Sequence, residues 1–127
     1  PMAIGASLAD PEVPTVCYVG DGGIGMYFAE LKTAKAWNLP LVVVLLSDGA
    51  FSSIKGVTDA NNYTRSGVTL ADSSWLGAVK GMGIEGYSIT SSNELTSVLD
   101  SWKGDKPLYI EALFDQESYG SMTNKIR

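Results

Sequence analysis

Apolar residues fall in short separate runs along the chain, and their spacing changes from run to run. Leu41 to Leu46 (LVVVLL) is apolar at every position. A strand with one wet face alternates, so an unbroken run predicts a strand covered on both faces, as in a parallel sheet. Thr15 to Val19 (TVCYV) is β-branched and aromatic and predicts another short buried strand. Between the two, Met26, Glu30, Leu31, Ala34 and Trp37 recur at helical spacing. That spacing predicts a helix over 24–37, ended by Asn38-Leu39-Pro40. Ahead of both strands, Met2 to Leu8 (MAIGASL) reads as a helix end that starts abruptly, as in a chain cut from something longer.

The second half alternates in the same way. Residues 50–71 are polar and irregular and predict a long loop with a helical turn near Phe51 to Lys55. A loop of that length in a compact domain is usually functional. Ser73 and Ser74 precede a helix predicted from Trp75 to Met82, which Gly83 stops. Tyr87 to Thr90 predicts a strand. Ser91 and Glu94 have the S-x-x-E spacing of a capping box. Leu95, Val98, Leu99 and Trp102 then form an amphipathic stripe. Leu108 to Phe114 predicts the last strand, followed by a polar tail over 115–127. Trp37, Trp75 and Trp102 all fall on apolar helix faces and are expected in the core. Strands alternating with helices predict an α/β fold, an open and mostly parallel sheet with helices on both faces.

Composition narrows the chemistry. The chain has 127 residues, room for one domain with a single core, and a formal net charge of -5. No Lys/Arg cluster is present, so nucleic acid and anionic membrane are poor partners. The apolar runs are too short to span a bilayer. The single cysteine, Cys17, sits inside an apolar run; it reads as buried filler, and a reducing cytoplasm fits. Histidine is absent, so acid or base work falls to carboxylates, Lys, Tyr, a cofactor or another chain.

Two Asp-Gly pairs, Asp21-Gly22 and Asp48-Gly49, each follow an apolar strand. Ligands of open parallel sheets bind beyond the carboxyl ends of the strands. If the two strands are neighbours, the carboxylates converge, and a cation between them relieves their repulsion. Hard oxygen donors of this kind suit Mg²⁺ or Ca²⁺. Gly22 and Gly23 open the following helix and leave their N–H groups to a phosphate. Each pair taken alone also fits a plain turn after a strand.

The stretch GDGGIGMYFAELKTAKAWNLPLVVVLLSDGAF, residues 20 to 51, resembles the thiamin diphosphate signature. Met26, Glu30-Leu31, Thr33-Ala34 and Leu39-Pro40 stand where acetolactate synthase-like enzymes carry the same residues. DSSWLGAVKGMGIEGYSITSSNELTSVLDSWKGDKPLYIEALFD and PMAIGAS resemble other parts of the same diphosphate-binding domain. The resemblance implies one diphosphate- and Mg²⁺-binding domain over 1–127, incomplete at its N-terminus and without its pyrimidine-binding and central domains. It implies that Asp21, Asp48 and the Ala50 carbonyl hold Mg²⁺, and that Gly20, Asp21, Gly22, Gly23, Asp48, Ala50 and Phe51 bind thiamin diphosphate. Ser53 and Ile54 would border the substrate, with Ser52 and Lys55 beside them.

The same resemblance implies an enzyme acting on 2-oxo acids or aldehydes, by decarboxylation followed by carboligation. A glutamate of a partner pyrimidine-binding domain, in the same or a neighbouring subunit, would activate the cofactor. The full-length protein would be a homodimer or homotetramer, and this piece alone would be inactive. Three departures stand out. Ser47-Asp48 replaces an Asn-Asn pair, Gly23 replaces a common Ser, and Ile54 stands where simple decarboxylases carry a catalytic Glu. Ile54 favours carboligation over simple decarboxylation. Asn61-Asn62 follows no apolar strand and reads as a loop. Glu30 reads as structural, and Tyr119 and Met122 as a possible lid. The alternatives are a non-catalytic binder of Mg²⁺ and thiamin diphosphate, a simple 2-oxo acid decarboxylase, and a flavodoxin-like or response regulator-like domain.

Overall fold

A computed structural model describes residues 1–70 and 74–115. Its sheet has the strands β1 (Thr15–Gly20), β2 (Leu41–Ser47), β3 (Glu85–Ile89) and β4 (Leu108–Leu113) in the order β1-β2-β4-β3. Every pairing is parallel. The helices are α1 (Met2–Ala9), α2 (Asp21–Ile24), α3 (Leu31–Ala36), α4 (Ser52–Ala60), α5 (Leu76–Gly81) and α6 (Ser92–Ser101). None of the described helices is long and apolar enough to cross a membrane.

β2 behaves as its unbroken apolarity demands. Its odd-numbered residues Leu41, Val43 and Leu45 enter one core with Ile4, Ile24, Leu31, Ala34, Val79 and Tyr109. Its even-numbered residues Val42 and Val44 enter a second core with Ile89, Leu108 and Ile110, against which Leu95, Val98 and Trp102 of the α6 side pack. The sheet is therefore covered on both faces, with α6 on the side opposite α1, α3 and α5.

The capping box at α6 is present. Ser91 Oγ accepts from Glu94 N at 3.4 Å, while Glu94 Oε2 accepts from Ser91 N at 3.2 Å and Thr90 N at 2.7 Å. These bonds, that from Thr90 N first, hold the Glu94 carboxyl below its ordinary value of 4.5. A lowered folded value means that the bonds stabilise above pH 4.5 and that their contribution fades as pH falls through the folded value. Glu94→Gln is therefore expected to flatten the acid limb of a stability-against-pH curve, read by urea unfolding at pH 3 to 7.

Four expectations are corrected. The helix predicted over 24–37 is broken into α2, a 3-10 turn at Phe28–Glu30, and α3. Gly22, Gly23 and Gly25 weaken it, and the chain tightens through Met26 N to Gly23 O (3.3 Å) and Tyr27 N to Ile24 O (3.0 Å). Met26 consequently points to solvent at 71% exposure; Trp37, just beyond the end of α3, is 68% exposed, and only Trp75 and Trp102 pack on the cores. β1 is an edge strand: Thr15, Cys17 and Val19 are half-buried, but Val16 and Tyr18 are exposed. Its β-branched and aromatic residues specify a strand without specifying what covers it. Finally, the predicted loop over 50–71 contains the nine-residue helix α4. Its sequence is mostly polar and only Thr58 is buried, so no apolar stripe announced it. The polar tail from 116 onward, with Tyr119 and Met122, lies outside the described residues, as does Ser73.

Candidate functional site

The register of β1 against β2 places Gly20 opposite Leu46, so the chain leaves both strands at the same level. Asp21 and Asp48 follow at once. Asp21 is buried and its carboxylate binds both turns: Oδ1 accepts from Gly22 N at 2.8 Å, and Oδ2 accepts from Asp48 N at 3.2 Å and Gly49 N at 2.8 Å. Asp48 is half-buried. Its Oδ1 accepts from Ala50 N at 3.1 Å, and its Oδ2 accepts from the Ser52 hydroxyl. The Asp21 carboxylate thus reaches the main chain of the turn that carries Asp48, as neighbouring strands allow.

Downstream, the turn is pinned from the far side. Phe51 N donates to Val68 O at 2.9 Å and Leu70 N to Gly49 O at 2.8 Å, around an antiparallel bridge between Ala50 and Thr69. This returning segment was not legible in the sequence, because no apolar period marks it. Gly49 takes φ 74, a left-handed turn that glycine adopts without strain.

A cleft of about 370 Å³ opens above these turns. Gly20, Asp21, Gly22, Gly23, Asp48, Ala50, Phe51 and Ser53 line it, together with Leu46 and Ser52. Ile54 does not line it; its side chain is 54% exposed on α4. Lys55 is likewise outside the lining. Asn61 ends α4 and Asn62 takes φ 54, a turn conformation that Asn tolerates, away from the cleft lining. Glu30 is exposed on the 3-10 turn and borders a separate apolar hollow of about 500 Å³ beside α1 and β1.

The glycines differ in what they leave open. A Cβ on Gly22 would collide with Cε1 of Phe51, so the Phe51 ring occupies that space. At Gly23 the nearest atom would be Val19 Cγ2 at 3.6 Å, and at Gly20 nothing lies within 4 Å. Gly22→Ala is therefore expected to displace the Phe51 ring and lower stability by about 1–3 kcal/mol. Gly23→Ala is expected to change it by less than about 1 kcal/mol. Urea unfolding of the two variants checks the difference.

The donor set fits a small hard cation. Among the described residues no group of three or more His, Cys, Asp or Glu could hold a metal ion. A cation here would be held by two carboxylates and a main-chain carbonyl, with its other positions left to phosphate oxygens and water. That is the ligation Mg²⁺ accepts. The Ser52 hydroxyl on Asp48 orients the carboxylate, as partners behind metal ligands do.

A family model described as "Thiamine pyrophosphate enzyme, C-terminal TPP binding domain" matches residues 1–112. The chain is 32% identical over 119 residues to the acetolactate synthase isozyme 2 large subunit of Escherichia coli, covering 91% of this chain and 22% of that protein. It is 33% identical over 101 residues to the acetolactate synthase large subunit of Haemophilus influenzae, covering 78% and 18%. The chain thus spans about a fifth of the length of these curated relatives. Its fold matches a thiamine diphosphate-dependent 4-hydroxybenzoylformate decarboxylase of Rhodococcus jostii with a TM-score of 0.78 at 24% identity, over 89% of this chain and 22% of that one.

Proposed function

This chain belongs to the thiamine pyrophosphate enzymes, through their C-terminal TPP binding domain, and on that premise we propose that the cleft above β1 and β2 holds the diphosphate of thiamin diphosphate through Mg²⁺. One observation carries the reading: the Asp21 carboxylate, at the end of β1, bonds the main chain of Asp48 and Gly49, at the end of β2. Asp21, Asp48 and the Ala50 carbonyl would hold the cation. Gly20, Gly22, Gly23 and Phe51 would border the diphosphate, and Ser53 the substrate side. When bound, thiamin diphosphate supplies the nucleophilic carbon and the electron sink.

The chain's own residues bind, orient and exclude. Of the side chains lining the cleft, only Asp21 and Asp48 are carboxylates, and both serve as cation ligands in this reading. No other carboxylate and no Lys or Tyr stands among the described lining residues. By resemblance Ile54 stands where simple decarboxylases carry a catalytic Glu; it lies outside the cleft lining at 54% exposure and would bring no acid to the site. This supports decarboxylation followed by carboligation, of the acetolactate synthase type, on 2-oxo acids or aldehydes. The activating glutamate would come from a pyrimidine-binding domain, in the same or a neighbouring subunit of a homodimer or homotetramer. The same lack of a further carboxylate, Lys or Tyr also fits a non-catalytic binder, which would bind cofactor and turn over no 2-oxo acid.

Calorimetric titration of the intact protein with thiamin diphosphate tests the site, with Mg²⁺, with EDTA, and with Asp48→Ala. Partners behind metal ligands already contribute about 10–100-fold in affinity, so loss of the ligand itself should weaken binding about 100-fold or more. Binding that ignores both EDTA and Asp48 would refute the site.

A further inference from the structure

Glu111 lies in the sheet interior and takes no part in the cleft. It sits on β4 between Leu45 of β2 and Ser88 of β3, at 1% exposure. A carboxylate at that depth persists only when hydrogen bonds hold it. Its Oε2 accepts from the Tyr109 hydroxyl at 3.2 Å, the Ser74 hydroxyl at 3.3 Å and the Trp75 main-chain N at 3.2 Å. Burial first, and the charge of Glu111 next, push the Tyr109 phenol far above its ordinary value, so it stays protonated and donates.

The Trp75 indole lies against the end of α2. Its Cζ2 lies 3.5 Å from where a Gly25 Cβ would stand, and its ring centroid is 4.6 Å from that of Phe28. Gly25 ends α2, and Phe28 begins the 3-10 turn that follows. α2 has four residues, two of them glycine, and is too short and too weak to hold its own direction. What steadies it is its seat on β1 and β2, the Asp21 bonds to the Asp48 and Gly49 main chain, the Phe51 ring against Gly22, and the indole against its end.

We propose that Glu111 is a positioning residue for the cleft: it fixes the Trp75 main chain, and the Trp75 side chain holds the end of α2, so that Gly22 and Gly23 keep their place. The consequence for cofactor binding rests on the thiamin diphosphate reading; the link from β4 to α2 does not.

Hydrogen exchange of the ligand-free intact protein tests the link, in Glu111→Gln and in Trp75→Leu. Both should speed exchange of segment 21–30 by about tenfold while leaving α6 unchanged. Both should also weaken thiamin diphosphate with Mg²⁺ by about tenfold, and the double variant by little more than either alone. Unchanged exchange at 21–30 in either variant, with the melting temperature lowered alone, would make Glu111 a purely structural residue and overturn the proposal. If Glu111→Gln does not fold, unchanged exchange at 21–30 in Trp75→Leu still overturns the proposal. If the unaltered protein binds no thiamin diphosphate, the functional reading fails, and the exchange result still decides whether Glu111 positions α2.

Discussion

Replacing Asp21 by alanine is expected to abolish Mg²⁺-dependent binding of thiamin diphosphate and to destabilise the fold by about 3 kcal/mol. The carboxylate has two roles. It accepts from three main-chain N–H groups, of Gly22, Asp48 and Gly49, at 2.8 to 3.2 Å. Each donor left without a partner costs about 1–3 kcal/mol, with the lower end appropriate beside an open cleft where water can enter. The proposed role is as cation ligand, which alanine cannot replace. Asp21→Asn separates the two. Asparagine keeps one acceptor oxygen, which can face Asp48 N and Gly49 N, turns an NH2 towards Gly22 N and removes the charge, so the fold should lose less than with alanine while affinity falls. Urea unfolding and calorimetry on the same preparations check this. Asp21→Ala binding cofactor as well as the unaltered protein would remove Asp21 from the site.

Leu45→Ala is expected to cost about 3–4 kcal/mol, the range for a leucine deleted from a closed core. Leu45 is fully buried, between Val19 of β1 and Glu111 of β4, and packs with Val43, Tyr109 and Val79. Its neighbours are tied to hydrogen-bonded strands on both sides, so they cannot collapse into the space. Leu99→Ala on α6 makes the comparison. That side chain is 38% exposed, and its loss should cost less than about 1 kcal/mol. Urea midpoints measure both. A Leu45→Ala loss as small as that of Leu99→Ala would mean that β2 is not the centre of the core. Because β2 runs directly into Ser47 and Asp48, Leu45→Ala should also loosen the cleft and weaken cofactor binding.

Much of this arrangement was legible along the chain. LVVVLL announced a strand covered on both faces, and it is covered by two cores. Ser91 and Glu94 announced the start of α6, because a capping box is made within four residues of one another and needs no distant partner. The two Asp-Gly pairs announced turns at strand ends, and the strands proved to be neighbours in parallel register. Where periodicity misled, a local break or a missing cover was responsible. Trp37 keeps its helical spacing from Leu31 and Ala34, but the helix that would have aligned Met26 with them is interrupted at Gly25. α4 was hidden because its polar sequence gives no stripe, and the bridge between Ala50 and Thr69 that closes its segment joins residues far apart in the chain.

The sequence by itself determined the order of strands along the chain, the parallel sheet and the placing of two acidic turns at strand ends. Each of these is a consequence of local spacing, side-chain polarity and turn chemistry. Only the tertiary structure decided that Asp21 bonds main-chain groups 27 and 28 residues on, that Phe51 lies against Gly22, and that Glu111 reaches Trp75 from 36 residues away. Those contacts depend on strand register and on how helices seat on the sheet. Register is set by all the paired residues together, and no short window of sequence contains both partners.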